Sequence, residues 1–323
     1  MAGTSTSEQG GTASASRGGA DGEATNAAAT TATKEGETRA SGVSPIWFVV
    51  VAVLLWSTGG LFIKSSTLSA AELSGARALF AAATVMLLTR REGFRLNLTT
   101  AVASVFYAAL LYLFVRATLQ TTAANAIFLQ YTAPVYILLA EPFFFKEKYR
   151  AADFVVVVFC LLGMSLFFVG QLRPQDYEGN IAALGSGFCF SVFFLLLRHP
   201  RAREVNRAAS VIYGNLLLAL VMMPAVVRGA EHFTLTNTLI AAYLGIVQLG
   251  IAYTLLTLGI ARGVKSLEAS VIGYIEPVLN PVWVFLFLGE RPGASALAGG
   301  AIIIVAVAGH TLWVARKSAV RHG

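Results

Sequence analysis

Charge is scarce in this chain. Of 323 residues only 13% are charged and 56% are hydrophobic, with a mean hydropathy of +0.68. That excludes an ordinary soluble domain and implies a polytopic membrane protein. Cysteine is nearly absent: Cys160 and Cys189 both fall in apolar windows, so no disulfide or zinc framework follows. The four histidines, His199, His232, His310 and His322, sit near or beyond the ends of such windows, and none forms an H-E-x-x-H site or a haem pair. No G-x-x-x-x-G-K-[ST] loop is present to hold a nucleotide, and no cofactor or metal is expected. Residues 1–43 contain no aromatic residue, leucine or isoleucine, so they cannot bury enough apolar surface to fold and read as a disordered tail. That tail has no apolar stretch for a secretory signal peptide, so the first span is expected to direct insertion and to remain. Arg17, Lys34 and Arg39 stand there against Glu8, Asp21, Glu23, Glu35 and Glu37, so the chain's net charge of +7 comes from the membrane part. A basic nucleic-acid-binding arm is excluded with it.

What is abundant is apolar sequence in lengths of about 20 residues, enough to cross ~30 Å of hydrocarbon. Ten such windows are expected, near 46–64, 70–89, 99–118, 121–144, 151–171, 180–198, 208–228, 236–260, 267–289 and 294–315. The fourth and ninth contain Pro134 and Pro277, which can break them into half-helices.

Charge sets the orientation. With a cytoplasmic amino terminus the inner side carries Arg90, Arg91, Arg95, Lys146, Lys148, Arg150, Arg198, Arg201, Arg203, Arg207, Arg262, Lys265, Arg316, Lys317 and Arg321. The outer side carries Lys64, Arg116, Arg173, Arg228 and Arg291. Cytoplasmic loops favour Lys and Arg, so this three-to-one bias predicts ten spans with both termini inside.

The chain also repeats itself. Ala126, Tyr131, Pro134, Val135, Phe144, Glu147 and Ala151 recur 143 residues later as Ala269, Tyr274, Pro277, Val278, Phe287, Glu290 and Ala294. A weaker match at a separation of 134 pairs Trp56, Ser57, Leu61 and Lys64 with Phe190, Ser191, Leu195 and Arg198. Five spans per repeat is an odd number, so the second enters the membrane from the opposite side. Inverted repeats are a recurring plan of secondary transporters, whose solute site lies between the repeats near the midplane.

Three stretches carry a family resemblance: "LLWSTGGLFIK" (54–64), "SGARALFAAATVMLL" (74–88), and the pair "TTAANAIFLQYTAPVYILLAEPFFFKEK" (121–148) and "SLEASVIGYIEPVLNPVWVFLFLGER" (266–291). In order and spacing they resemble the drug/metabolite transporter superfamily, specifically its ten-helix group built from two EamA-type domains. The resemblance implies an all-α integral membrane bundle with a first repeat over 44–173, a second over 174–316 and a short basic tail at 317–323. It also implies alternating access around a central cavity without ATP, in the cytoplasmic membrane of a prokaryote. A homodimer is compatible with it.

Ionisable groups inside a span cost of order 3 kcal/mol on insertion scales and usually face a partner or a watery cavity. Arg77 suits a substrate carboxylate or phosphate, or else pairs with Glu72 or helix-end carbonyls. Glu276 precedes Pro277, which leaves a backbone carbonyl without its usual donor. It suits an amine-bearing solute or proton coupling, or else a hydrogen bond that fixes the helix junction; Ala133 stands at its counterpart. Asn280 lies four residues on and shares its face. Gln130, Tyr131, Tyr274, Trp56 and Gln248 complete the candidate binding group. Glu147 and Glu290, each beside a cation, are expected to cap or tether the ends of their spans. The expected function is a transporter for a small organic solute in the lipid bilayer, an amino acid, a related metabolite or a drug, by efflux or exchange. A membrane-embedded enzyme or a channel is the competing reading, and neither charge rings nor a filter loop are visible for the latter.

Overall fold

A computed structural model describes residues 44–145, 151–166, 174–205, 208–264, 269 and 272–321. The disordered-tail expectation, and those for Lys146, Glu147, Lys148, Arg150 and Arg173, lie outside these residues. The described part from Pro45 onward is one compact unit, and among the described residues it is all helix, turn and loop.

The first membrane segment is two helices, α1 (Pro45–Ser57) and α2 (Gly59–Ser65), broken at Thr58. Next come α3 (Ala70–Leu88) and α4 (Leu98–Gln120), each opened by a reciprocal cap: Ser69 with Glu72, and Asn97 with Thr100. Such caps satisfy the orphan amide donors of a first turn. The fourth segment is split into α5 (Ala123–Gln130) and α6 (Ala133–Phe145) by a turn at Tyr131 and Thr132. There the ring of Pro134 denies a donor to the helix ladder, as expected for that span. Then follow α7 (Ala151–Leu166), α8 (Pro174–Arg198), α9 (Ala208–Arg228) and α10 (Leu235–Ala242). The last of these runs through a π-helical stretch, Tyr243–Ile251, into α11 (Ala252–Ala261). A turn at Tyr274 precedes α12 (Ile275–Leu288), and α13 (Ala294–Arg321) closes the chain.

Among the described residues, six helical segments are long and apolar enough to cross a bilayer: Pro45–Ser65, Ala70–Leu88, Leu98–Gln120, Asp176–Leu197, Ala208–Arg228 and Leu235–Ile260. Shorter apolar helices cover Phe154–Gly163, Ile275–Leu288 and Ala294–His310. Their outward faces are greasy, with Leu220 71%, Val305 71% and Phe287 68% exposed. A surface of that kind is stable against lipid rather than water.

The packing is knit by α4 lying along α8 and α9, α9 along α3, and α7 along α13, while α11 and α12 pack on α1. Small residues permit the close crossings. At Gly187 a side chain would collide with the carbonyl of Gln130, and at Gly214 with that of Ser104. The carbonyl of Gln130 is one that Pro134, four residues on, cannot engage. The interruptions at Thr58, at Tyr131–Thr132 and at Tyr274, and the π stretch Tyr243–Ile251, each carry or adjoin polar side chains that reach across to another of these elements.

Candidate functional site at the helix breaks

Four helix irregularities bring polar groups together inside an apolar bundle. The sequence explains the clearest of them. Pro277 has no N–H, so the carbonyl of Gly273 lacks the donor that a continuous helix would supply. The Tyr131 hydroxyl stands 3.0 Å from that carbonyl and donates to Glu276 Oε2 at 2.9 Å. The rings of Tyr131 and Tyr274 lie 6.2 Å apart. One break thus supplies the hydroxyl and the other the carboxylate. Both are partly buried.

The break in the first segment adds a neutral polar wall. Ser57, fully buried, accepts from Trp283 Nε1 at 3.0 Å. Thr58 and Tyr243 join hydroxyl to hydroxyl at 3.0 Å, and the Tyr243 ring packs on Phe62 at 4.1 Å. Gly59 and Gly60 follow, and a Cβ there would run into the amides of Gln248 and Asn280 respectively. Gln248 is carried by the π stretch, whose extra residue per turn re-aims its side chains. It is 6% exposed, and Asn280 is 1% exposed. Gln248 Oε1 and both polar atoms of the Asn280 amide have no hydrogen-bond partner among the described residues. Backbone amides and most buried side chains in a protein find partners, which makes these atoms informative.

The remaining candidates are placed differently. Gln130 donates to Ser186 Oγ at 2.7 Å, which in turn donates to the Leu110 carbonyl at 3.0 Å, so it binds α5 to α8. Trp56 packs in an apolar cluster with Val49, Val53 and Val264, and only its neighbour Ser57 joins the polar group. Arg77 is 1% exposed, donates to the Leu111 carbonyl at 3.0 Å and leaves Nε without a partner. Glu72 is not its partner: that carboxylate accepts from the Ser69 amide and pairs with His232 at 2.8 Å. Arg77 therefore belongs with α4, while Tyr131, Glu276, Asn280 and Gln248 belong to the breaks.

Glu290 tethers, as expected for the end of its span. It forms a 2.7 Å ion pair with Lys64 and accepts from the Ala123 amide at 2.7 Å, capping α5, while Lys64 also donates to the Thr121 carbonyl at 2.6 Å. The ends of α2 and α12 and the turn before α5 are held at one point. Because Tyr131 follows α5 and Glu276 opens α12, these two elements are bonded at both ends.

Thr58, Tyr243 and Trp283 escape a reading based on ionisable or strongly polar residues. The signal for the first was present: Thr-Gly-Gly in the middle of an apolar span is a poor helix sequence. Nothing local marks Tyr243 or Trp283, which acquire their role from what they meet. No group of three or more His, Cys, Asp and Glu that could hold a metal occurs among the described residues.

Comparison with known proteins follows the same outline. The chain is 27% identical to the "Threonine/homoserine exporter RhtA" of Escherichia coli (strain K12) over 291 residues, covering 86% of this chain and 96% of that protein. It is 25% identical to the "Pseudopaline exporter CntI" of Pseudomonas aeruginosa over 276 residues, covering 81% and 94%. A solved structure aligns with a TM-score of 0.59 at 21% identity, covering 85% of this chain and 98% of that one, a likeness of fold. Residues 43–169 and 178–312 each match the EamA-like transporter family. The chain is a multi-pass membrane protein, and it belongs to the EamA-like transporter family within the drug/metabolite transporter superfamily.

Proposed function

We propose that this protein is a secondary transporter for a small amine-bearing solute, an amino acid or a related metabolite, which it exports or exchanges by alternating access. Ten spans in two inverted five-helix repeats, 44–173 and 174–316, with both termini in the cytoplasm, are the arrangement that the charge bias and the duplicated segments favour. The observation that carries the reading is the Tyr131–Glu276 hydrogen bond at two helix breaks. A carboxylate there can exchange its tyrosine donor for a solute ammonium, trading a hydrogen bond from a neutral donor for one in which both partners are charged. Solute entry would then loosen the tie between α5 and α12 at one end, while Lys64 and Glu290 hold the other. Two relatives named as exporters of threonine and homoserine and of pseudopaline support the solute class and the outward direction.

Counterflow of labelled amino acids in proteoliposomes tests the proposal. Saturable accelerated uptake into vesicles preloaded with the same unlabelled solute is expected. Uptake that rises linearly with concentration without saturating would point to a channel, and uptake of none to neither mode.

A further inference from the structure

Asn280 and Gln248 raise a question that the Tyr131–Glu276 pair does not answer. Each comes from an irregular helix, and each lies directly on the backbone of the break in the first segment, where Gly59 and Gly60 leave no side chain in the way. Around them the other polar groups are paired: Ser57 with Trp283, Thr58 with Tyr243, Tyr131 with Glu276. Among the described residues at these helix breaks, the buried side-chain atoms without a partner are both polar atoms of Asn280 and the Oε1 of Gln248. A buried polar atom without a partner carries its full desolvation cost.

We infer that Asn280 and Gln248 form a specificity subsite that reads a hydroxyl or carboxamide group on the solute. The inference rests on the transporter reading above. Its chemistry follows from the inventory of free atoms. An amide offers one donor group and one acceptor, so its partner must both accept and donate. A hydroxyl does this with one oxygen and a carboxamide with two atoms. A carboxylate only accepts and would confront the Gln248 Oε1 and Asn280 Oδ1 oxygens. A second ammonium only donates and leaves the Asn280 Nδ2 unpaired. An alkyl group satisfies nothing. Asn280 lies one helical turn after Glu276 on the same face, a separation of roughly 5–6 Å between Cβ atoms. That spacing lets one small molecule present its ammonium to Glu276 and its hydroxyl to the amides.

Threonine and valine are the probe, since they differ by a hydroxyl in place of a methyl group. Wild-type protein in proteoliposomes is expected to prefer threonine in counterflow by at least about tenfold, equivalent to 1.4 kcal/mol. Asn280→Leu, which keeps the branching and heavy-atom count of the side chain and removes both amide atoms, is expected to bring that ratio to within about twofold of unity. Gln248→Met is the second variant and should shift the ratio in the same direction even where Asn280→Leu is poorly inserted. A wild type that carries both amino acids equally, or a ratio unchanged in the variants, overturns the subsite and leaves the transporter reading intact. A wild type that carries no amino acid overturns the reading beneath it as well.

Discussion

Lys64 and Glu290 offer the most direct test of how this bundle opens. Their ion pair is 2.7 Å long, with side chains 17% and 25% exposed, so it is shielded more than a surface pair and less than a buried one. Exposed pairs contribute at most about 1 kcal/mol, whereas hydrogen bonds to charged groups contribute about 1.5–3 kcal/mol. A coupling of about 1–2 kcal/mol is therefore expected from a double-mutant cycle of Lys64→Met and Glu290→Gln. If the pair closes one mouth of an alternating-access transporter, that energy shifts the open-to-closed ratio by about tenfold. The readout is the labelling rate of Ser57→Cys, a fully buried site, by an impermeant maleimide in a background where Cys160 and Cys189 are alanine. Lys64→Met should raise that rate about tenfold. The charge swap Lys64→Glu with Glu290→Lys should recover only part of the closure. It restores the ion pair, but a lysine at 290 cannot accept from the Ala123 amide, and a glutamate at 64 cannot donate to the Thr121 carbonyl. Unchanged labelling in Lys64→Met, or single effects that add to within ~0.3 kcal/mol, refutes the latch.

Three further outcomes are expected. Glu276→Gln should lower amine-solute counterflow at least tenfold, and retained exchange with lost pH-driven flux would instead assign Glu276 to proton coupling. Asn280→Leu, assayed for stability in detergent, should raise the melting temperature by about 2–5 °C, because removing two buried unpaired atoms relieves about 1–3 kcal/mol apiece against the strain of seating two bulkier methyl groups beside Gly60; a fall would show that the amide holds the fold. His232, on the connection between α9 and α10, has its pKa raised by the hydrogen bond it donates to Glu72 and by that group's charge. Its stabilising contribution is complete below the ordinary value of 6.5 and is lost as pH rises through the higher folded value. A thermal melt series should show this loss in wild type and not in His232→Gln, and parallel profiles would remove the pair from that role.

Much of the site was legible before the fold was known, for a physical reason. A proline, an ionisable group or an amide within an apolar span is costly wherever the span packs, so Pro277, Glu276, Asn280 and Gln248 announce themselves from composition alone. The break after Gln130 and the turn before Glu276 follow likewise from Pro134 and Pro277. Arg77 shows where that logic stops. Its burial is predictable, but its partner is a backbone carbonyl on α4, which has no sequence signature. Gln130 is similar: its amide is used by Ser186 in packing α8, a use that depends on Gly187 admitting the neighbouring backbone.

By itself, the sequence determined that the chain lives in a bilayer, where its helices must bend and which residues are too polar to face lipid. Those properties depend on local chemistry: side-chain transfer cost, a missing proline donor, the length of an apolar run. Only the tertiary structure decided which polar groups meet, that Tyr131 reaches Glu276 and Lys64 reaches Glu290, and that Asn280 and Gln248 end up against two glycines, with both amide atoms of the one and the Oε1 of the other unpartnered among the described residues. Hydrogen bonds and ion pairs act over a few ångströms, and residues more than a hundred positions apart acquire that proximity only when the helices pack.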